Sequence, residues 1–192
     1  MKPTFTIFVT DGDEYAEKNV HYAARKYGAA CISVSSGNPT MMTGKELLQV
    51  MAQTEERLQF IMFDDCGLAG EGPGEQAMLE IAAHQDVRVL GVIAVASKTR
   101  RGDGEWASVD VSVDRYGKLT HHAIDKSGLP DIEVGRVYGD TVDCLEKLRP
   151  ATIVGIGDIG KMDGRDTVER GAPITCQAIE LILERSGFQD DR

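Results

Sequence analysis

Five apolar runs constrain this chain most: "TFTIFVT" (4–10), "AACISVSS" (29–36), "LQFIMFDD" (58–65), "VRVLGVIAVAS" (87–97) and "ATIVGIGD" (151–158). Each is short and continuously apolar, which predicts a strand buried on both faces. Between them apolar residues recur at helical spacing. Ala16, Val20, Ala23, Ala24 and Tyr27 share one face, and Gly28 follows as a stop. "TGKE" (43–46) has the form of a capping box ahead of Leu47, Leu48 and Met51. Pro73 suits the first turn of a helix carrying Met78, Ile81 and Ala82. A short helix over 140–148, capped by Asp140, and a longer one over 173–187 complete the series. Buried strands alternating with helices predict an α/β fold, an open and mainly parallel sheet flanked by helices in a Rossmann-like arrangement.

The rhythm changes near residues 98–138. "WASVDVSVDRYGKLTHHAI" alternates by twos, with Val109, Val111 and Val113 in one set, and turns at "RYGK". That pattern predicts an inserted β-hairpin lobe with one solvated face. With 192 residues, a single domain over 1–192 is expected.

The chain carries 31 acidic against 21 basic residues, a net charge of -10. Such a surface disfavours docking on nucleic acid or anionic lipid. The start, "MKPTFTIFVTDGD", reads as a strand and not as a secretory leader, and no stretch approaches the ~20 apolar residues that span a bilayer. A soluble protein is expected. Cys31, Cys66, Cys144 and Cys176 are scattered and form no C-x-x-C pair, which predicts reduced thiols and neither a metal cluster nor a disulfide framework. The four histidines do not cluster. Lys98, Arg100 and Arg101 form a dense basic patch, read as a solvated loop.

Carboxylates gather where the strands end. Asp11 and Asp13 follow the first run, Asp64 and Asp65 close the third, and Asp158 closes the last. In parallel strands these acids share one sheet edge, where ligands of open α/β sheets sit. Asp11, Asp13, Asp64, Asp65 and Asp158 are therefore candidate ligands for Mg²⁺ or Ca²⁺. The competing interpretation is structural: Asp13 caps the next helix, and Asp64 and Asp65 bond backbone amides of the glycine loop. That loop, "GLAGEGPGE", offers Gly70 and Gly72 as candidate ligand-binding backbone, although Glu71 and Glu75 would repel an anion.

"VTDGDE", "ISVSSGNP" and "IVGIGDIGKMD" resemble motifs of the haloacid-dehalogenase-like phosphohydrolases. That resemblance implies Asp11 as nucleophile, Asp13 as acid–base, Asp158 as a Mg²⁺ ligand, Ser35 or Ser36 as phosphate binder and Lys98 as its neutralising charge. The family usually places a flap after the first motif, whereas here a helix begins at once.

A broader resemblance runs in order from about residue 5 to 187. "VTDGDEYA", "CISVSSGNPT", "MFDDCGLAGEGPGE", "VLGVIAVASKT", "VDVSVDRYG" and "VGIGDIGKMDGRD" closely resemble the stage V sporulation protein AE family. The resemblance implies a soluble accessory or regulatory protein of spore formation and germination. It would act with inner-membrane proteins of the same operon that move dipicolinic acid, and lie in the forespore or spore, peripheral to the inner membrane. It implies no catalytic residues, and it leaves a homo-oligomer open.

Overall fold

A computed structural model describes residues 3–68, 70–97, 106–148 and 152–189. Strands β1 (Thr4–Val9), β2 (Ala30–Cys31), β3 (Leu58–Met62), β4 (Val87–Val95), β6 (Val111–Val113), β7 (Leu119–Thr120) and β11 (Ile153–Ile156) form a sheet in the order β2-β3-β1-β4-β11-β6-β7. All its pairings are parallel except β6 with β7. A second sheet pairs β5 (Trp106–Ser108), β10 (Arg136–Tyr138), β8 (His122–Ile124) and β9 (Pro130–Val134) in that order.

Strand alternation divides the core. Ile7, Val9, Phe60, Met62, Ile93 and Val95 pack on one face against α1 (Glu14–Tyr27) and α5 (Pro173–Ser186). Phe8, Ile61, Phe63, Val92 and Ala94 pack on the other against α2 (Gly44–Gln53), α3 (Pro73–Ala82) and Leu145 of α4 (Leu145–Leu148). Ala107, Val109 and Val137 of the inserted segment join this second cluster, so the smaller sheet shares the main core. β1 leads to α1 on one face while its neighbour β3 leads to α3 on the other. The loops part there and leave a crevice at the carboxyl edge.

The helix signals operate as their sequences predict. Thr43 and Glu46 complete the capping box, Pro73 opens α3, and Gly28 and Gly187 end α1 and α5 in left-handed conformation. The α/β class and mainly parallel sheet agree with the expectation, but three details differ. "AACISVSS" is not one long strand: pairing stops at Cys31, and Ser33–Ser35 turn as a 3-10 helix. Asp140 caps no helix, since α4 begins only at Leu145. The expected hairpin is shared between sheets. β6 pairs in parallel with β11 in the main sheet and β7 turns back beside it, while β5 joins the second sheet. The turn at "RYGK" does join an antiparallel pair, β6 and β7, and a small mixed sheet completes the inserted lobe; residues 98–105 lie outside the described residues.

Candidate functional site

The carboxyl edge encloses a pocket of about 270 Å³. Thr10, Asp11 and Asp13 reach it from the end of β1, Asp64, Cys66 and Gly67 from β3, Val95 and Ser97 from β4, and Asp158 and Lys161 from β11. Asn38 lines it from the loop before α2, Lys126 from the inserted segment and Asp140 from just after that segment.

Gly12 allows this convergence. A Cβ there would stand 2.5 Å from the Gly37 carbonyl, whose own N–H donates to the Gly12 carbonyl at 2.8 Å. The D-G-D spelling thus lets the loop before α2 close over the end of β1. Asp13 turns its Oδ1 to the N–H groups of Tyr15 and Ala16, at 2.8 and 2.9 Å, and caps α1. Asp11 is left inside, only 9% exposed, its Oδ1 accepting one bond of 3.3 Å from the Asp13 N–H. Burial pushes its carboxyl well above the usual range; the charges of Asp13, Asp158 and Asp64 push the same way, while the Asp13 N–H opposes them.

Asp64 accepts from Cys66 N–H at 2.7 Å and Gly12 N–H at 3.2 Å. Burial nevertheless raises its pKa to about 6, with Asp140 and Asp13 contributing in the same direction. Asp158 accepts from Gly160 N–H at 3.1 Å and pairs through its other oxygen with Lys161. That bond raises the Lys161 pKa, and Asp158, Asp11 and Asp13 reinforce it by charge, against the effect of burial. Asp140, freed from the cap expected of it, accepts from Ser97 Oγ at 2.7 Å and from Gly67 N–H. It ties the inserted segment to the ends of β3 and β4. The Lys126 carbonyl makes a similar tie by accepting from Asp158 N–H at 3.1 Å.

Asp11, Asp13, Asp64 and Asp158, four of the residues singled out in the sequence, therefore share one pocket. The others lie elsewhere. Asp65 is buried beneath α3, where it accepts from Gly74 N–H at 2.6 Å and Glu75 N–H at 3.1 Å. Ser35 donates to the Ile32 carbonyl at 2.6 Å and accepts from Met62 N–H at 2.9 Å; Ser36 donates to the Ser33 carbonyl at 2.8 Å. Neither serine lines the pocket, nor do Gly70 and Gly72. Gly72 has a packing role, since a Cβ there would meet Asp65 Oδ1 at 2.3 Å. Lys98, Arg100 and Arg101 fall outside the described residues.

Sequence reasoning missed Thr10, Asn38, Ser97, Lys126, Asp140 and Lys161. Only Lys161 carried a local signal, standing three residues after Asp158 in "GDIGK". A Mg²⁺ or Ca²⁺ ion needs several oxygens turned to one point. Among the described residues no group of three or more His, Cys, Asp or Glu side chains is so arranged. The carboxylates of Asp13, Asp64 and Asp158 are instead engaged by backbone N–H groups. The pocket thus offers a buried acid that favours its proton, with Lys126 and Lys161 on the same lining.

No helix among the described residues is long and apolar enough to cross a membrane. No curated protein and no solved structure matches the chain. The family model described as stage V sporulation protein AE1 matches residues 6–186. With nearly the whole sequence, strand-end aspartates included, inside that match, the chain belongs to the stage V sporulation protein AE1 family.

Proposed function

We propose that this protein is an accessory or regulatory protein of sporulation and germination that acts with inner-membrane proteins moving dipicolinic acid, and that it is not an enzyme. The family match over residues 6–186 carries the sporulation part. The dipicolinic acid part rests on what the family resemblance implies. Attachment through membrane-bound partners, peripheral to the inner membrane of the forespore or spore, is in keeping with α1 and α5, which have 14 residues each against the ~20 needed to span a bilayer. The pocket at the carboxyl edge is the proposed working surface. Its buried Asp11 and its Lys126 and Lys161 would sense or bind a polar group presented by the partner or its cargo. Deleting the gene should alter the rate of dipicolinic acid release in germination, or the amount stored, while vegetative growth stays normal. Storage and release indistinguishable from the parent under every germinant would contradict the proposal.

A Mg²⁺-dependent phosphohydrolase is the alternative, favoured by one observation: Asp11 shares its pocket with Asp158 and Lys161. Two features weigh against it. Asp13 spends its carboxylate on the α1 cap, and Ser35 and Ser36 bond backbone away from the pocket. Purified protein assayed with Mg²⁺ across a broad panel of phosphate esters should release no phosphate. Turnover abolished by Asp11→Asn would establish the enzyme instead.

A further inference from the structure

A second concavity, of about 490 Å³, has the opposite character. Arg115, Tyr116 and Gly117 line it from the turn between β6 and β7, Arg165 and Arg170 from the loop between β11 and α5, and Pro173 and Ile174 from the start of α5. Three arginines and no carboxylate line this surface, in a chain with 31 acidic and 21 basic residues. It shares no lining residue with the acidic pocket.

The turn is held in shape. Asp114 Oδ1 accepts from the N–H groups of Tyr116 and Lys118 at 2.8 and 2.9 Å, and Gly117 takes φ 78°. Tyr116 consequently projects, 60% exposed, and organises two guanidiniums. Those of Arg165 and Arg115 lie 4.5 and 5.3 Å from its ring centroid, and Arg115 Nη2 donates to its hydroxyl at 3.3 Å. The one carboxylate paired with this group is Asp163, 2.9 Å from Arg115 Nη1 and largely exposed. Among the described residues no carboxylate pairs with Arg165 or Arg170. The buried Nε atoms of Arg115 and Arg165 have no hydrogen-bond partner either. Stacking on Tyr116 and packing thus fix the guanidiniums of Arg115 and Arg165, and among the described residues the charges of Arg165 and Arg170 have no paired carboxylate. The start of α5 supplies no free donors, because Asp166 already takes the N–H groups of Ile174 and Thr175. The arginines alone make the site.

We infer that this concavity binds a small multivalent oxyanion, a polycarboxylate or a phosphate, gripped by Arg115, Arg165 and Arg170. Planar guanidinium forks match the paired oxygens of such groups, and those of Arg115 and Arg165, already held against Tyr116, lose little freedom on binding. The negative charge elsewhere repels anions from the acidic surfaces and, among the described residues, favours this arginine-lined concavity for their attachment. The inference stands apart from the proposed role in sporulation and from the acidic pocket.

Titration calorimetry of the full chain with citrate and, separately, with inorganic phosphate tests it, at low salt and again at physiological ionic strength. One or both should bind with one-to-one stoichiometry, more weakly at the higher ionic strength, and the pair tells a carboxylate ligand from a phosphate. Arg165→Gln and Arg170→Gln should each weaken binding about tenfold or more, as expected for loss of a charge-assisted contact. Arg170 is exposed and unpaired among the described residues, so its replacement leaves folding intact. Lys45→Gln, an equal loss of charge on the exposed side of α2, should change nothing. Failure of both anions to bind at low salt, binding that survives the Arg165→Gln/Arg170→Gln double change, or an equal loss in Lys45→Gln would each overturn the inference.

Discussion

Asp11 and Asp13 stand two residues apart and do opposite things. Asp13 is a helix cap, and Asp13→Ala should cost about 1 kcal/mol, read as a lower urea midpoint whatever the protein's activity. Asp11 is buried with its proton favoured, and Asp64 titrates at about 6 instead of 3.8. The sign of the pH dependence follows. Above about pH 4 these two groups hold protons in the folded chain that the unfolded chain has released, so their contribution to stability falls as pH rises from about 4 through 6. Asp11→Asn keeps an oxygen for the Asp13 N–H and removes the buried charge. It should raise the urea midpoint at pH 7 and flatten its decline between pH 4 and 7. A lower midpoint at pH 7 would mean that the Asp11 carboxylate is satisfied in the fold and not held there at a cost. These roles were only half legible. A lone Asp before a helical pattern announces a cap, whereas the burial of Asp11 depends on a loop some 25 residues away, which no local pattern reports.

Elements whose determinants are local were readable, and those whose determinants are distant were not. The Thr43–Glu46 box, Pro73, Gly28 and Gly187 define helix ends within a turn or two of themselves, and they appear where the sequence puts them. "AACISVSS" misleads because its β-branched residues suit a strand, yet Ser35 Oγ supplies the acceptor for Met62 N–H, and a side chain replaces the ladder. Asp140 misleads in the same way: its partners, Ser97 and Gly67, are 43 and 73 residues distant. Gly12 shows how tight the assembly of these elements is. Gly12→Ala would place a methyl 2.5 Å from the Gly37 carbonyl, a contact that only backbone movement relieves. A loss of about 1–3 kcal/mol is expected, together with weaker protection of the Gly37 amide from hydrogen exchange. An alanine variant as stable as the parent would show that the loop before α2 is free to withdraw.

The molecule as a whole is one sheet with two covered faces and a smaller sheet seated on the same core. Parallel order was legible from continuous apolar runs, and with it the gathering of acids at one edge. The split of the inserted segment was not, because Val109, Val111 and Val113 alternate without interruption while Val109 and Val111 fall into different core clusters. The outcome is a pocket whose wall is completed by Lys126 of the insertion and by Asp140 just after it. If that pocket serves spore chemistry, a protein with Asp11→Asn should fold at least as well as the parent and still fail in the cell, a separation of stability from function. The decisive measurement is dipicolinic acid release during germination in a deletion strain carrying either the parent gene or Asp11→Asn at equal protein level. The parent gene should restore normal release and Asp11→Asn should not. Full restoration by Asp11→Asn, or normal release with no gene at all, would contradict the proposed role.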